Sequence, residues 1–266
     1  MLDSVEVLHS RLLRAAGFRH AFFTRRGGVS TGPYESLNFS ISVGDDPENV
    51  SANFGRAASA LGAAVDRLFF LSQVHGATVV VLSERDVHGT LARGAIAERE
   101  GDALATDVPD VVCGVRTADC VPILVADQRS GAVVAIHAGW RGVVRGVVAS
   151  GVRRLLELAG SGGGELVAAI GPHIGPTAFE VGEDVAVELE RVAGGVTCVN
   201  RSGAKPLVAL APIVRRQLLS EGLADAAIDE VPGCTFSEPN RFFSFRRDGK
   251  VGGRHYSAIV ARGRAR

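Results

Sequence analysis

A chain of 266 residues with 46% hydrophobic content is long enough to bury a large core as one α/β domain. Its 29 basic and 29 acidic residues cancel, which removes the positive field that non-specific nucleic-acid binding needs and points to a small substrate. The apolar runs fall far short of the ~20 residues of a membrane span, and Cys113, Cys120, Cys198 and Cys234 do not form a disulfide framework.

The chain opens on MLDSVEVLHSRLLRAAGF, acidic early and without a basic region followed by an apolar core, so a cytoplasmic protein with reduced thiols is expected. HAFFTRRGGVSTGPYESLNFS reads as a strand running into a loop dense in Arg, Gly, Ser and Pro. A helix follows, capped by Asp45 or Asp46 with Pro47 at its first position. RLFFLSQVHGATVVVL gives two short strands broken at His75-Gly76. The polar, unpatterned stretch 83–100 is a surface excursion, and GDALATD then precedes a strand DVVCGVRT. Val121–Asp127 and Ala132–Ile136, joined by QRSG, form a β-hairpin. Beyond HAGWRG one helix is expected from Val143 to Ala159, ended by the glycines of GSGGG. ELVAAIG is a strand, PHIGPTAFEVG a loop, and helices are expected over Glu183–Val192 and Ala211–Glu221. SFRRDGKVGGRHYSAIVA reads as a closing hairpin turning at Asp248–Gly253. Strands and helices mix without strict alternation, which predicts a single mixed-sheet α/β (α+β) domain over 1–260 and a disordered basic tail over 261–266.

In a hairpin whose loop of two or four residues is centred on Arg129-Ser130, facing positions sum to 259, so Cys120 opposes Gly139 and His137 opposes Pro122, whereas a three-residue loop would set Cys120 directly opposite His137. In the first register Cys120 and His137 project from one face at the open end as diagonal neighbours, able to converge on one ion. His75, at its own strand break, is the natural third ligand. Two imidazoles and a thiolate without a fourth protein ligand are the donor set of an open, catalytic zinc site. A metal-free catalytic Cys-His pair is the competing chemistry. Asp119 could orient a ligand or shuttle a proton, although alternation turns it to the other face. For His9, His20, His88 and His255 a structural or surface role is expected, with His173 open to either. Cys113, Cys198 and Cys234 read as small buried hydrophobes. Around the site, Arg25 and the backbone amides of Gly27 and Gly28 suit an anion such as phosphate. Arg141, Arg246 and Arg247 are similar candidates, Asn38 closes the same loop, and Trp140 or Phe39 offers a flat surface for a ring.

The motifs TRRGGVS, SLNFS, QVHG, GDALATD, TADC, HAGWRG, IGPHIGP with FEVG, and FSFRRDG resemble the YfiH-like laccase-domain family, in family order from residue 22 to residue 254. The resemblance implies His75, Cys120 and His137 as metal ligands and a single-domain fold like the catalytic domain of the cytotoxic necrotizing factor. It implies a purine nucleoside phosphorylase acting on adenosine, inosine and methylthioadenosine with phosphate, with adenosine deamination as a second activity. Zinc is the implied ion and copper the less favoured one. Two features depart from the pattern: the excursion before Cys120 is extended, and PTAFEVG lacks a cysteine-tyrosine pair before its glutamate. Copper polyphenol oxidation, a label the family has carried, is disfavoured: a four-copper set needs about ten histidines, and this chain has seven and one methionine, Met1. The runner-up function is a peptidoglycan-editing hydrolase that removes a wrongly loaded amino acid from a muramyl nucleotide. A non-catalytic metal-binding protein is the third. Oligomeric state is open.

Overall fold

The computed structural model describes residues 4–88, 92–160 and 165–263. Its frame is two sheets packed face to face. The six-stranded sheet runs, edge to edge, Ile228–Glu230, Leu166–Ile170, Val121–Asp127, Val133–Ala138, Ala103–Thr106 and Val79–Leu82. The five-stranded sheet runs Val7–Leu8, His20–Phe23, His255–Val260, Val112–Thr117 and Leu68–Phe69. Each holds parallel and antiparallel pairs, as in the mixed α/β fold expected.

Why the central strands lack polar alternation follows from the layering. In Val121–Asp127 every residue is buried: Ile123 and Val125 face helices, while Leu124 and Ala126 face the other sheet. A strand covered on both faces has no solvent side to mark with polar residues. The helices Val147–Ala159 and Leu210–Ser220 cover the outer face of the six-stranded sheet. Helix Pro47–Leu61 covers the other sheet, setting Val50, Phe54, Ala57 and Leu61 against Phe23, Tyr256 and Ala258. Its start is as read from sequence, with Asp46 accepting the Glu48 N–H at 2.8 Å and Pro47 next. The result is four layers, helix–sheet–sheet–helix.

Four expectations are corrected. The helix expected over Val143–Ala159 is two, Trp140–Val144 and Val147–Ala159, because Gly146 sits at φ 80°, a left-handed conformation that glycine adopts without steric cost. The closing hairpin does not form: the Ser244 hydroxyl accepts the Arg247 N–H and caps a short helix Phe245–Asp248. His255–Val260 instead inserts between His20–Phe23 and Val112–Thr117. GDALATD does more than precede a strand, since Ala103–Thr106 is one, paired with Val133–Ala138. The ordered chain also passes residue 260: Ala261 is fully buried, and Arg262 donates to the carbonyl of Ala16 at 3.0 Å. Residues 264–266 of the expected tail lie outside the described residues. The excursion 83–100 contains the short helices Glu84–Val87 and Ala92–Ala97.

Candidate metal centre

The hairpin register pairs Val121 with Ala138 and Pro122 with His137, so facing positions sum as expected and Cys120 comes opposite Gly139. His75 arrives from the break between Leu68–Phe69 and Val79–Leu82. The Cys120 Sγ lies 3.7 Å from the His75 Nε2, and the His75 and His137 rings meet edge to face with centroids 4.8 Å apart. One ligating atom from each of the three residues lies within 4.8 Å of the others. Around a tetrahedral ion, a zinc–sulfur and a zinc–nitrogen bond subtend an edge of about 3.5 Å. The donor set therefore fits a shared cation, with a further position left open.

Two residues that the sequence reading did not single out hold this geometry. Asp102, 1% exposed, sits across from His137 in the register that pairs Ala103 with Ile136. Its Oδ1 accepts from the His137 Nδ1–H at 2.8 Å and from the His75 N–H at 2.9 Å. Its Oδ2 accepts the Gly76 N–H at 2.6 Å. One carboxylate thus fixes the His137 tautomer, turning its Nε2 toward Cys120, and anchors the loop in which His75 stands at φ 58°. A side-chain methyl at Gly139 would lie 2.7 Å from the His75 Cδ2 and 2.9 Å from the Cys120 Sγ, so only glycine leaves room for the ligands. Arg145 supports the same loop by donating to the His75 carbonyl at 3.1 Å.

Charge follows contact. Burial pushes the Cys120 thiol up, but the imidazoles of His137 and His75 outweigh it and bring the thiol below its ordinary range. Burial pulls His137 down, while the sulfur of Cys120 and the carboxylate of Asp102 together carry it above the ordinary histidine range. Burial would raise Asp102, yet the bonds from His137 and from the Gly76 and His75 amides keep it low. Both shifts favour a thiolate beside a protonated imidazole, and a divalent cation bound here would take the proton's place as the thiolate's partner.

The structure brings together His75, Cys120 and His137; the other expected site residues are placed differently. Arg25 donates from Nε to the Glu35 carbonyl at 2.6 Å and from Nη1 to the Pro239 carbonyl at 2.9 Å, with its guanidinium over the Phe243 ring. It is a strut between loops. Gly27 and Gly28 serve close packing: a Cβ on Gly27 would meet the Val5 backbone, and one on Gly28 would lie 2.0 Å from the Ser36 carbonyl oxygen. The Gly28 N–H is already donated to the Ser36 hydroxyl at 3.0 Å. Asn38 is fully buried and hydrogen-bonded to Ser40, Asp45 and the Arg254 N–H. Arg141 is exposed and lies over the Trp140 ring. Arg247 is engaged by the carbonyls of Thr235, Phe236 and Phe242, and Arg246 donates to that of Glu180. Asp119 takes neither of the roles considered for it: its oxygens accept from the Thr235 hydroxyl and the Arg246 N–H, tying two loops together. His173 is buried, with its Nδ1–H donated to the Gly171 carbonyl.

Comparison with known proteins identifies the family of the chain. The family described as multi-copper polyphenol oxidoreductase laccase matches residues 19–262. A purine nucleoside phosphorylase of Deinococcus radiodurans is 39% identical over 250 residues, covering 93% of this chain and 92% of its own. The purine nucleoside phosphorylase YfiH of Escherichia coli is 35% identical over 240 residues, covering 89% and 90%. Among solved structures, YlmD from Geobacillus stearothermophilus superposes with a TM-score of 0.84 at 33% identity over 91% of each chain.

Proposed function

Because the chain belongs to the multi-copper polyphenol oxidoreductase laccase family, we propose that it is a zinc-dependent purine nucleoside phosphorylase. Its substrates on this reading are adenosine, inosine and methylthioadenosine with phosphate, and adenosine deamination is a second activity. The observation that carries the reading is the convergence of His75, Cys120 and His137 under the control of Asp102, in a chain similar along its length to proteins named for this activity.

A zinc-type ion bound here would supply a Lewis acid beside an open coordination position. The chain's own residues do the rest. Cys120 and the Asp102 carboxylate contribute one negative charge each and the two histidines none, so a divalent ion here would be balanced and the charge of a phosphate dianion has to be met by arginines. Asp102 holds His137 with Nε2 forward and keeps His75 in its loop, so no ligand has to reorganise as substrate enters. In phosphorolysis a phosphate oxygen bonds to C1′ as the C1′–N9 bond breaks, and the purine departs with the electron pair and takes up a proton. Phosphate must therefore be held beside the ribose, a task for an arginine with free donors, which Arg25 lacks in both Nε and Nη1.

The donor set does not fit the four-copper chemistry in the family's description. Among the described residues one three-ligand group is present. His20 and His255 each use both ring nitrogens on the backbone, at Phe18 and Ser10 and at Thr117 and Phe243.

The test is incubation of the zinc-loaded protein with inosine, with and without phosphate. Phosphate-dependent release of hypoxanthine and ribose 1-phosphate, abolished in Cys120→Ala, is expected; adenosine should additionally yield ammonia. Serine release from a seryl muramyl nucleotide without hypoxanthine from inosine would replace this reading with amide hydrolysis. Silence on both substrates in zinc-replete protein would leave a metal-binding protein.

A further inference from the structure

The geometry points to Arg116 and Arg254 as a two-arginine subsite that binds inorganic phosphate next to the metal centre. This rests on the phosphorylase reading for its role in the reaction, but not for the binding itself. Arg116 lies in Val112–Thr117 and pairs with Tyr256 across the antiparallel register. Residues two apart on a strand share a face, so Arg254 is the diagonal neighbour of Arg116 on that face. Carried one pair beyond His255–Thr117, the same register sets Arg254 opposite Ala118, two residues from Cys120.

Two guanidinium groups side by side repel, and neither forms an ion pair with a carboxylate among the described residues. Each rests on an aromatic ring, Arg116 over Phe70 at 4.4 Å and Arg254 over Phe245 at 5.6 Å, which orients the fork while leaving donors in its plane free. Arg254 commits only its Nη1, to the carbonyls of Gly252 at 2.6 Å and Gly253 at 3.0 Å. Its Nε and Nη2 have no acceptor among the described residues. Arg116 donates from Nη2 to the Leu71 carbonyl at 3.3 Å, and its Nε is buried without a partner. Half-buried positive charge with unused donors in the plane of each fork is the chemistry that holds an anion.

Nearby negative groups do not fill the need. Asp119 acts on Arg254, but its two oxygens already accept from Thr235 and Arg246. Cys120, the other, is a ligand of the metal centre. The backbone placement of Arg254 is itself built: its N–H donates to the Asn38 Oδ1 at 2.8 Å, and its carbonyl accepts the Phe39 N–H at 3.0 Å. Asn38, expected at the substrate, is thereby a positioning residue for Arg254.

The experiment measures binding of inorganic phosphate to the zinc-loaded protein by isothermal titration calorimetry, without nucleoside. Wild type, Arg254→Met, Arg254→Lys and Arg116→Met are compared, with zinc content and melting temperature checked for each. Loss of a charge-assisted pair of bonds should weaken phosphate binding about tenfold or more in the methionine variants, with partial recovery in Arg254→Lys. A second arm titrates ribose 1-phosphate, which should compete with inorganic phosphate in wild type and lose affinity in parallel if the phosphoryl group is what the arginines hold. In steady state, the KM for phosphate should rise in Arg254→Met while that for inosine stays within about twofold. If Arg116→Met loses its fold, Arg254→Met decides alone. Phosphate affinity unchanged in a folded Arg254→Met, or no phosphate binding to wild type, overturns the subsite. Phosphate binding that depends on Arg254 in a protein that releases no hypoxanthine would keep the subsite and sink the phosphorylase reading.

Discussion

The Asp102 carboxylate gathers four donors, the His137 ring N–H and the backbone N–H groups of Val74, His75 and Gly76, which makes it the residue whose loss should be felt furthest from its own position. Replacing it by Asn puts an amide where an acceptor-only carboxylate stood, and metal affinity should fall by about 10- to 100-fold in a competitive chelator titration. An unchanged affinity would mean that the ligands are held by packing alone. Gly139→Ala tests the space instead: the added methyl meets the His75 ring and the Cys120 sulfur, so zinc stoichiometry should drop well below one per chain in elemental analysis. At this scale the sequence was informative for Cys120 and His137, because a hairpin with a short turn fixes which residues share a face. Asp102 was hidden for a matching reason. Its relation to His137 depends on pairing between strands that no turn connects, and no local spacing encodes a partner 35 residues away. Arg25, Gly27 and Gly28 were ambiguous because an arginine-glycine loop has the same composition whether it cradles an anion or packs against its neighbours.

Elements were legible where local chemistry decides them. Asp46-Pro47 starts a helix and Gly62, at φ 60°, ends it, since caps act within a few residues. The doubled helix after HAGWRG and the lone strand His255–Val260 were not, because the first depends on one glycine's left-handed turn and the second on a pairing choice made by distant strands. That central insertion has a steric signature. Gly114 faces Ala258 in the register, and a Cβ there would lie 2.1 Å from the Tyr256 ring, itself fully buried and bonded to the Phe69 carbonyl. Gly114→Ala should therefore lower unfolding free energy by roughly 1–3 kcal/mol, the usual cost of overpacking, read as a shift in the urea midpoint. A midpoint within error of wild type would mean that this sheet and the helix Pro47–Leu61 covering it can part without cost.

Seen as one molecule, the protein keeps two buried histidines neutral, and that sets its response to acid. His20 accepts the Ser10 N–H at Nε2 and donates from Nδ1 to the Phe18 carbonyl; His255 does the same with Phe243 and Thr117. A second proton would have to sit on a nitrogen that already faces a backbone N–H. Burial brings His20 down to about 4 and His255 to about 3, against an unfolded value of about 6.5. The unfolded chain thus binds more protons across that interval, so stability is whole above about pH 6.5 and drains as pH falls toward 4, with a loss on the order of 4 kcal/mol already at about pH 5. Urea midpoints measured at pH 7.5 and about pH 5 should differ accordingly, and the difference should shrink in His255→Gln. The layered α/β class could be anticipated from the mixture of strands and helices, whereas the stacking of one sheet on the other could not, since uniformly apolar strands do not say which neighbour covers which face. The chain's one tryptophan, Trp140, directly follows Gly139, where an added Cβ would meet both His75 and Cys120. Its fluorescence is consequently a built-in reporter of the centre: a paramagnetic cupric ion there should quench the emission and closed-shell zinc should not, so the identity of the bound metal can be read optically without labelling the protein.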